Sequence, residues 1–180
     1  MTTRKLFTTA AVLAPALALA APALAAHSAT HSHYLQRSKQ AGSLSGNRVT
    51  FSGSRITIPV VAGESGTAPK RFEVHGQVNP TIVVPAGARL RIKLGNASTM
   101  PHGLAVTPKA PPYPANVKSE IKPPIAGTGY VDPTQSKAKL NVAGTGWFTL
   151  KPGTYYYVCP VPTHAKDGMY GKLVVKPSGG

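Results

Sequence analysis

From Arg48 onward, glycine and proline cut the sequence into short runs of β-branched and aromatic residues, and this rhythm narrows the fold more than any other feature. "RVTFSG", "SRITIPVVAG" and "RFEVHG" are each bounded by such breakers. "TIVVPAGARLRIKLGN" says more. Leu90, Ile92 and Leu94 alternate with Arg89, Arg91 and Lys93, which predicts a strand with one buried and one wet face. Pro85-Ala86-Gly87 makes the turn into it. "HGLAVTP" reads as the next strand, and "WFTL", "GTYYYVC" and "YGKLVVK" as three more. The intervening "PKAPPYPANVKSEIKPPIAGTGYVDPTQSKAKLNVAGTG" is proline-rich and basic, and is expected to be a long irregular loop. No amphipathic helix is expected after the leader. Many short strands with regular turns predict an all-β sandwich or barrel.

The N-terminus carries no core signal. "MTTRK" is a short basic opening, and the stretch from Leu6 to Ala26 is uncharged, with Ala23-Leu24-Ala25 as a small-residue cleavage signal. Residues 1–25 are therefore expected to be a signal peptide, or an uncleaved anchor that would tether the chain to a membrane. Residues 26–47 read as a flexible polar arm and 48–180 as the folded domain. The arm holds His27, His31 and His33, a cluster able to catch a metal ion loosely.

The chain has 20 Lys+Arg against 5 Asp+Glu, a net charge of +15. Export makes nucleic acid an unsuitable partner, so this charge favours an acidic protein or an anionic membrane surface. Few carboxylates also means few groups whose protonation unfolds the chain, which points to work in an acidic medium.

Cys159 is the sole cysteine among 180 residues, so it makes no internal disulfide. It ends the "GTYYYVC" run, with His164 and Met169 following at C-x4-H-x4-M spacing. Pro160 and Pro162 keep that stretch out of helix, so the three side chains must converge through a folded loop. A thiolate, an imidazole and a thioether converging on one point describe a soft-ligand copper site, which needs a second histidine. His75 and His102 are the candidates in the folded region. His102, in the loop between two adjacent predicted strands, is better placed to meet another loop at the same end of a sandwich. Met100 rivals Met169 for the thioether position, but its proximity to His102 across Pro101 makes joint ligation awkward.

These segments carry a resemblance. "GTYYYVCPVPTHAKDGMYGKLVV" resembles the C-terminal copper loop of cupredoxins, the small blue-copper proteins, and "TIVVPAGARLRIKLGNASTMPHGLAV" resembles their first-histidine segment. The stride from Cys159 to Met169 is similar to that of the rusticyanin-like branch, including the basic cupredoxin of acidophilic iron oxidisers. The resemblance implies a Greek-key β-sandwich of seven to eight strands with one type 1 copper ion at one end. It implies His102, Cys159 and His164 as equatorial ligands and Met169 as the axial one. One departure stands out: several cupredoxins have Asn or Ser directly after the first histidine, tying the ligand loops together, and here the residue is Gly103. The backbone N–H of Val161 remains available to the sulfur.

Four protein ligands leave no open position for a substrate, so the expected function is electron transfer rather than catalysis. The expected setting is the periplasm, in an acid-adapted respiratory chain. The expected partners are acidic redox proteins, a c-type cytochrome or a terminal oxidase, met through the edge of His164. A copper carrier or chaperone is the alternative, favoured by the histidines of the arm.

Overall fold

The computed structural model describes residues 33–63, 70–133 and 140–177. Its strands form two sheets. The larger is built from β1 (Ser43–Ser45), β2 (Arg48–Thr50), β6 (Thr81–Pro85), β12 (Tyr170–Lys176), β11 (Gly153–Val158), β8 (His102–Thr107) and β9 (Ala126–Val131), in that spatial order. The smaller runs β10 (Asn141–Gly144), β7 (Arg89–Asn96), β3 (Arg55–Ala62), β4 (Phe72–Val74) and β5 (Gln77–Val78). The expected sandwich is present, divided more finely than seven to eight strands because β1, β2, β4 and β5 are pieces of three residues or fewer.

Each sheet contributes its inward face to one core. In β7 the side chains of Leu90, Ile92 and Leu94 are buried while Arg89 is exposed, as the alternation predicts. β3 runs parallel to β7 from Arg55↔Arg89 to Ala62↔Asn96 and buries Ile56, Ile58 and Val60. From the other sheet come Ile82, Leu104, Tyr157 and Leu173. Tyr157, too polar to be buried without a partner, donates its hydroxyl to the Pro80 carbonyl at 2.6 Å.

Three sequence expectations change. Residues 33–40, assigned to the polar arm, form a helix (α1) docked on the smaller sheet. Tyr34 anchors it: the hydroxyl donates to the Lys93 carbonyl at 2.6 Å and lies 3.2 Å from that of Val60. The ring lies where a β-carbon on Gly95 would be, 2.7 Å from Tyr34 Cε1, so glycine there makes the docking feasible. Second, the long loop contains β9 and β10. β9 pairs with β8 through registers such as His102↔Val131 and Val106↔Ala126, and β10 pairs with β7. Third, "WFTL" is no strand: one bridge joins Phe148 to Leu90, while Trp147 lies under the Arg55 guanidinium at 4.6 Å. The leader and His27 and His31 lie outside the described residues. Among the described residues no helix is long and apolar enough to cross a membrane.

Candidate metal centre

The two strands that matter lie side by side in the larger sheet. β8 starts at His102 and its antiparallel neighbour β11 ends at Val158, so His102 and Cys159 emerge at the same end. Residues 162–168 then run as consecutive turns, out of helix as the two prolines favour. The loop is closed at its base by Cys159 N–H to the Met169 carbonyl at 3.1 Å, and Met169 N–H to the His164 carbonyl at 2.8 Å. Thr163 sits at φ +67°, a conformation costly for a β-branched residue. Its N–H donates to the Ala115 carbonyl at 2.6 Å and its hydroxyl accepts from Lys70 at 3.1 Å, contacts that offset the strain.

This construction brings together His102, Cys159 and His164, all buried, with ligand atoms within 4.8 Å of one another. The Cys159 sulfur lies 3.9 Å from His102 Nδ1 and 3.4 Å from His164 Nδ1. Trigonal donors at about 2.0 Å (nitrogen) and about 2.3 Å (sulfur) from one ion stand about 3.7 Å apart. The donor set and its spacing therefore fit a single soft metal ion. Met169 is fully buried at the loop's end, whereas Met100 is half-buried. His75 is not in the group: it sits at φ +54° with Nδ1 2.9 Å from the Ala41 carbonyl. His33, on α1, is exposed.

Burial sets the electrostatics. Desolvation lowers His102 from 6.5 to about 4, helped by the neighbouring His164, whose ring centroid is 4.9 Å away. His164 is lowered too, by burial and by Lys70, with Asp167 opposing. Both imidazoles are thus held neutral, the form that ligates. Burial pushes the Cys159 thiol up to about 11, and the backbone N–H groups of Gly103 and Val161 pull the other way by bonding the sulfur. The donor expected of Val161 is present, and Gly103 adds a second.

Lack of room accounts for the departure at Gly103. A β-carbon there would lie 2.8 Å from the Gly129 carbonyl oxygen and 3.1 Å from Pro160 Cγ. In place of a side-chain tie, the ligand loops are joined here by close approach of backbone to Pro160 and by the Gly103 N–H.

The other imidazole nitrogen of His102 has a partner that the sequence did not single out. Nε2 lies 2.8 Å from the buried Ser98 hydroxyl. That oxygen accepts the Met100 N–H at 3.1 Å and donates its one proton to the Met100 carbonyl at 3.0 Å. What remains is a lone pair, so Nε2 carries the proton and Nδ1 offers its lone pair beside the sulfur. Asn96 fixes the turn, accepting the Ser98 N–H at 3.0 Å and reaching the Met100 and Val131 carbonyls at 2.9 Å. The signal available in "GNASTMPH" was an Asx turn before a histidine.

The model of the sulfocyanin (SoxE) domain matches residues 45–178. The chain belongs to that cupredoxin family. Within it, rusticyanin of Acidithiobacillus ferrooxidans is 39% identical over 139 residues, covering 77% of this chain and 87% of the relative. Sulfocyanin of Sulfolobus acidocaldarius is 26% identical over 135 residues, covering 68% of this chain and 65% of that one. The 1.27 Å structure of rusticyanin from Thiobacillus ferrooxidans superposes with a TM-score of 0.73 at 36% identity, covering 82% of this chain and 92% of the other. As a rusticyanin-like cupredoxin, the protein takes one type 1 copper ion as its cofactor.

Proposed function

We propose that this cupredoxin is an exported, periplasmic single-electron carrier of an acid-adapted respiratory chain, and not an enzyme. His102, Cys159, His164 and Met169 would hold the copper ion. Bound there, copper supplies one-electron exchange between Cu(II) and Cu(I). The protein's part is to keep both imidazoles neutral, present the thiolate between two N–H donors and hold all of them in a packed sandwich. The observation that carries this reading is the fully enclosed donor set: His102 and Cys159 are 0% exposed and His164 is 5% exposed, which leaves no approach for a substrate. The family relationship supports the carrier role, and the scarcity of carboxylates supports the acid setting.

Adding Cu(II) to the purified protein is expected to produce an intense visible thiolate-to-copper band and a reversible one-electron potential, both lost in Cys159→Ser. A colourless copper complex in the native protein would refute the assignment. The His27, His31 and His33 cluster favours a second reading, a copper carrier. Competition with a Cu(I) chelator separates the two, because a carrier surrenders its metal within seconds and an enclosed electron-transfer site does so far more slowly.

A further inference from the structure

The edge expected to serve as the exit, His164, is nearly covered, and Cys159 lies wholly inside. Pro160 is bonded directly to Cys159 and is half-exposed. It forms one wall of a cleft of about 200 Å³ between β8, β9 and the loop around 117–124. The floor is apolar, from Leu104, Ile121 and Pro124, and exposed Tyr130 stands at its edge. Its charged lining residues are Lys118 and Lys122, and no carboxylate lines it. Lys118 is held over the Tyr130 ring, with Nζ 5.4 Å from the centroid. Glu120, the acid in this loop, faces away in an ion pair with Lys109. The cleft touches the site twice, because Gly129 in its wall is the residue whose carbonyl abuts Gly103.

We propose that this cleft is the docking site for an acidic electron-transfer protein, which seats one apolar side chain on Leu104 and Pro160 and sets carboxylates against Lys118 and Lys122. The inference rests on the carrier reading and adds where the partner binds and what it presents. Volume decides between occupants: cofactor-sized ligands need about 300 Å³ or more, so this cleft suits a single anchoring side chain. Charge decides the partner's sign, since two lysines without a lining carboxylate on a chain of net charge +15 attract an acidic surface. Seating a side chain there places the partner against Pro160, a short run of covalent bonds from the Cys159 sulfur. One electron passes per encounter: the partner is oxidised by one, the site is reduced by one, and no bond is made or broken.

The test uses the full chain with an acidic c-type cytochrome as probe. Amide shifts are mapped on the copper-free protein, and the second-order rate from reduced cytochrome is measured on the copper-loaded one. Shifts are expected at Lys118, Lys122, Gly127, Gly129 and Tyr130. The Lys118→Glu, Lys122→Glu double variant is expected to slow the reaction about tenfold at low salt, the gap closing near 1 M. Tyr130→Ser should slow it at every salt concentration. Rates within about twofold of native for both variants, or shifts confined to Lys70, Asp167 and Lys166 near His164, would overturn the proposal. So would cleft shifts that appear on raising protein concentration without cytochrome, which would mean a second copy occupies it. Absence of the visible band in the native protein would count against the carrier reading alone, since the shift map does not depend on copper.

Discussion

At the scale of single residues, the site works by leaving each donor atom one permissible state. His102 has two nitrogens, and the proton count on Ser98 assigns them: the hydroxyl gives its proton to Met100, so Nε2 must donate. Removing that hydroxyl leaves a buried N–H without an acceptor and frees the ring to turn. Ser98→Ala is therefore expected to keep the fold and the visible band while weakening copper affinity about tenfold and shifting the potential. Cu(I) chelator competition with voltammetry measures both, and unchanged values would show that packing alone orients the ring. Gly103 is constrained from the opposite direction, by lack of space. Gly103→Ser must push back either the Gly129 carbonyl or Pro160, at a cost of about 1–3 kcal/mol in the copper-free protein. A stability unchanged in chemical denaturation would mean β9 yields freely.

At the scale of elements, α1 depends on tertiary contact as most helices do in water, and its Tyr34 supplies that contact through one ring and one hydroxyl. Tyr34→Ala is expected to cost about 2 kcal/mol and to accelerate amide exchange across 35–40, leaving the copper band untouched. Slow exchange retained in the variant would show that α1 is held by other contacts. This dependence also explains why the helix was illegible in the sequence: its local signal is weak, and what holds it is a glycine 61 positions away in β7. β9 was hidden for a related reason. "AGTGYV" pairs on one side, with β8, and its two glycines supply no apolar side chains, so no alternation betrays it. "WFTL" misled in the opposite sense, its aromatic content serving an arginine stack and a single bridge rather than a ladder. By contrast β7 was plain because one face is buried and the other wet. The Cys159, His164 and Met169 set was plain because all three lie on one loop whose prolines exclude a helix. Ser98 was not, because its role depends on which proton goes where after the turn has folded.

At the scale of the whole molecule, the sequence suggests acid resistance, and the structure shows which groups set its limit. With 5 Asp+Glu in the chain, protonating carboxylates has little to undo. Asp167 is held below the ordinary carboxylate range by Lys70, but it is exposed and its contribution is screened. The buried histidines matter more. His102 takes up its proton near 6.5 when unfolded and near 4 when folded, so between those values the unfolded chain binds more protons and stability falls as pH falls. Across that window the loss from His102 amounts to about 3 kcal/mol, and His164, lowered by burial and Lys70, adds to it in the same direction. Below about pH 4 the folded His102 also protonates and its contribution stops growing. Copper changes the balance, because a metal that binds the neutral imidazoles of the folded chain stabilises it by mass action. Urea unfolding of copper-free protein at about pH 7, 5.5 and 4 is expected to show a steady decline, and copper-loaded protein should exceed it at each pH. If the copper-free protein kept its neutral stability to about pH 4 and failed only below it, carboxylates would be the controlling groups. The acid limit would then owe nothing to the buried histidines of the metal centre.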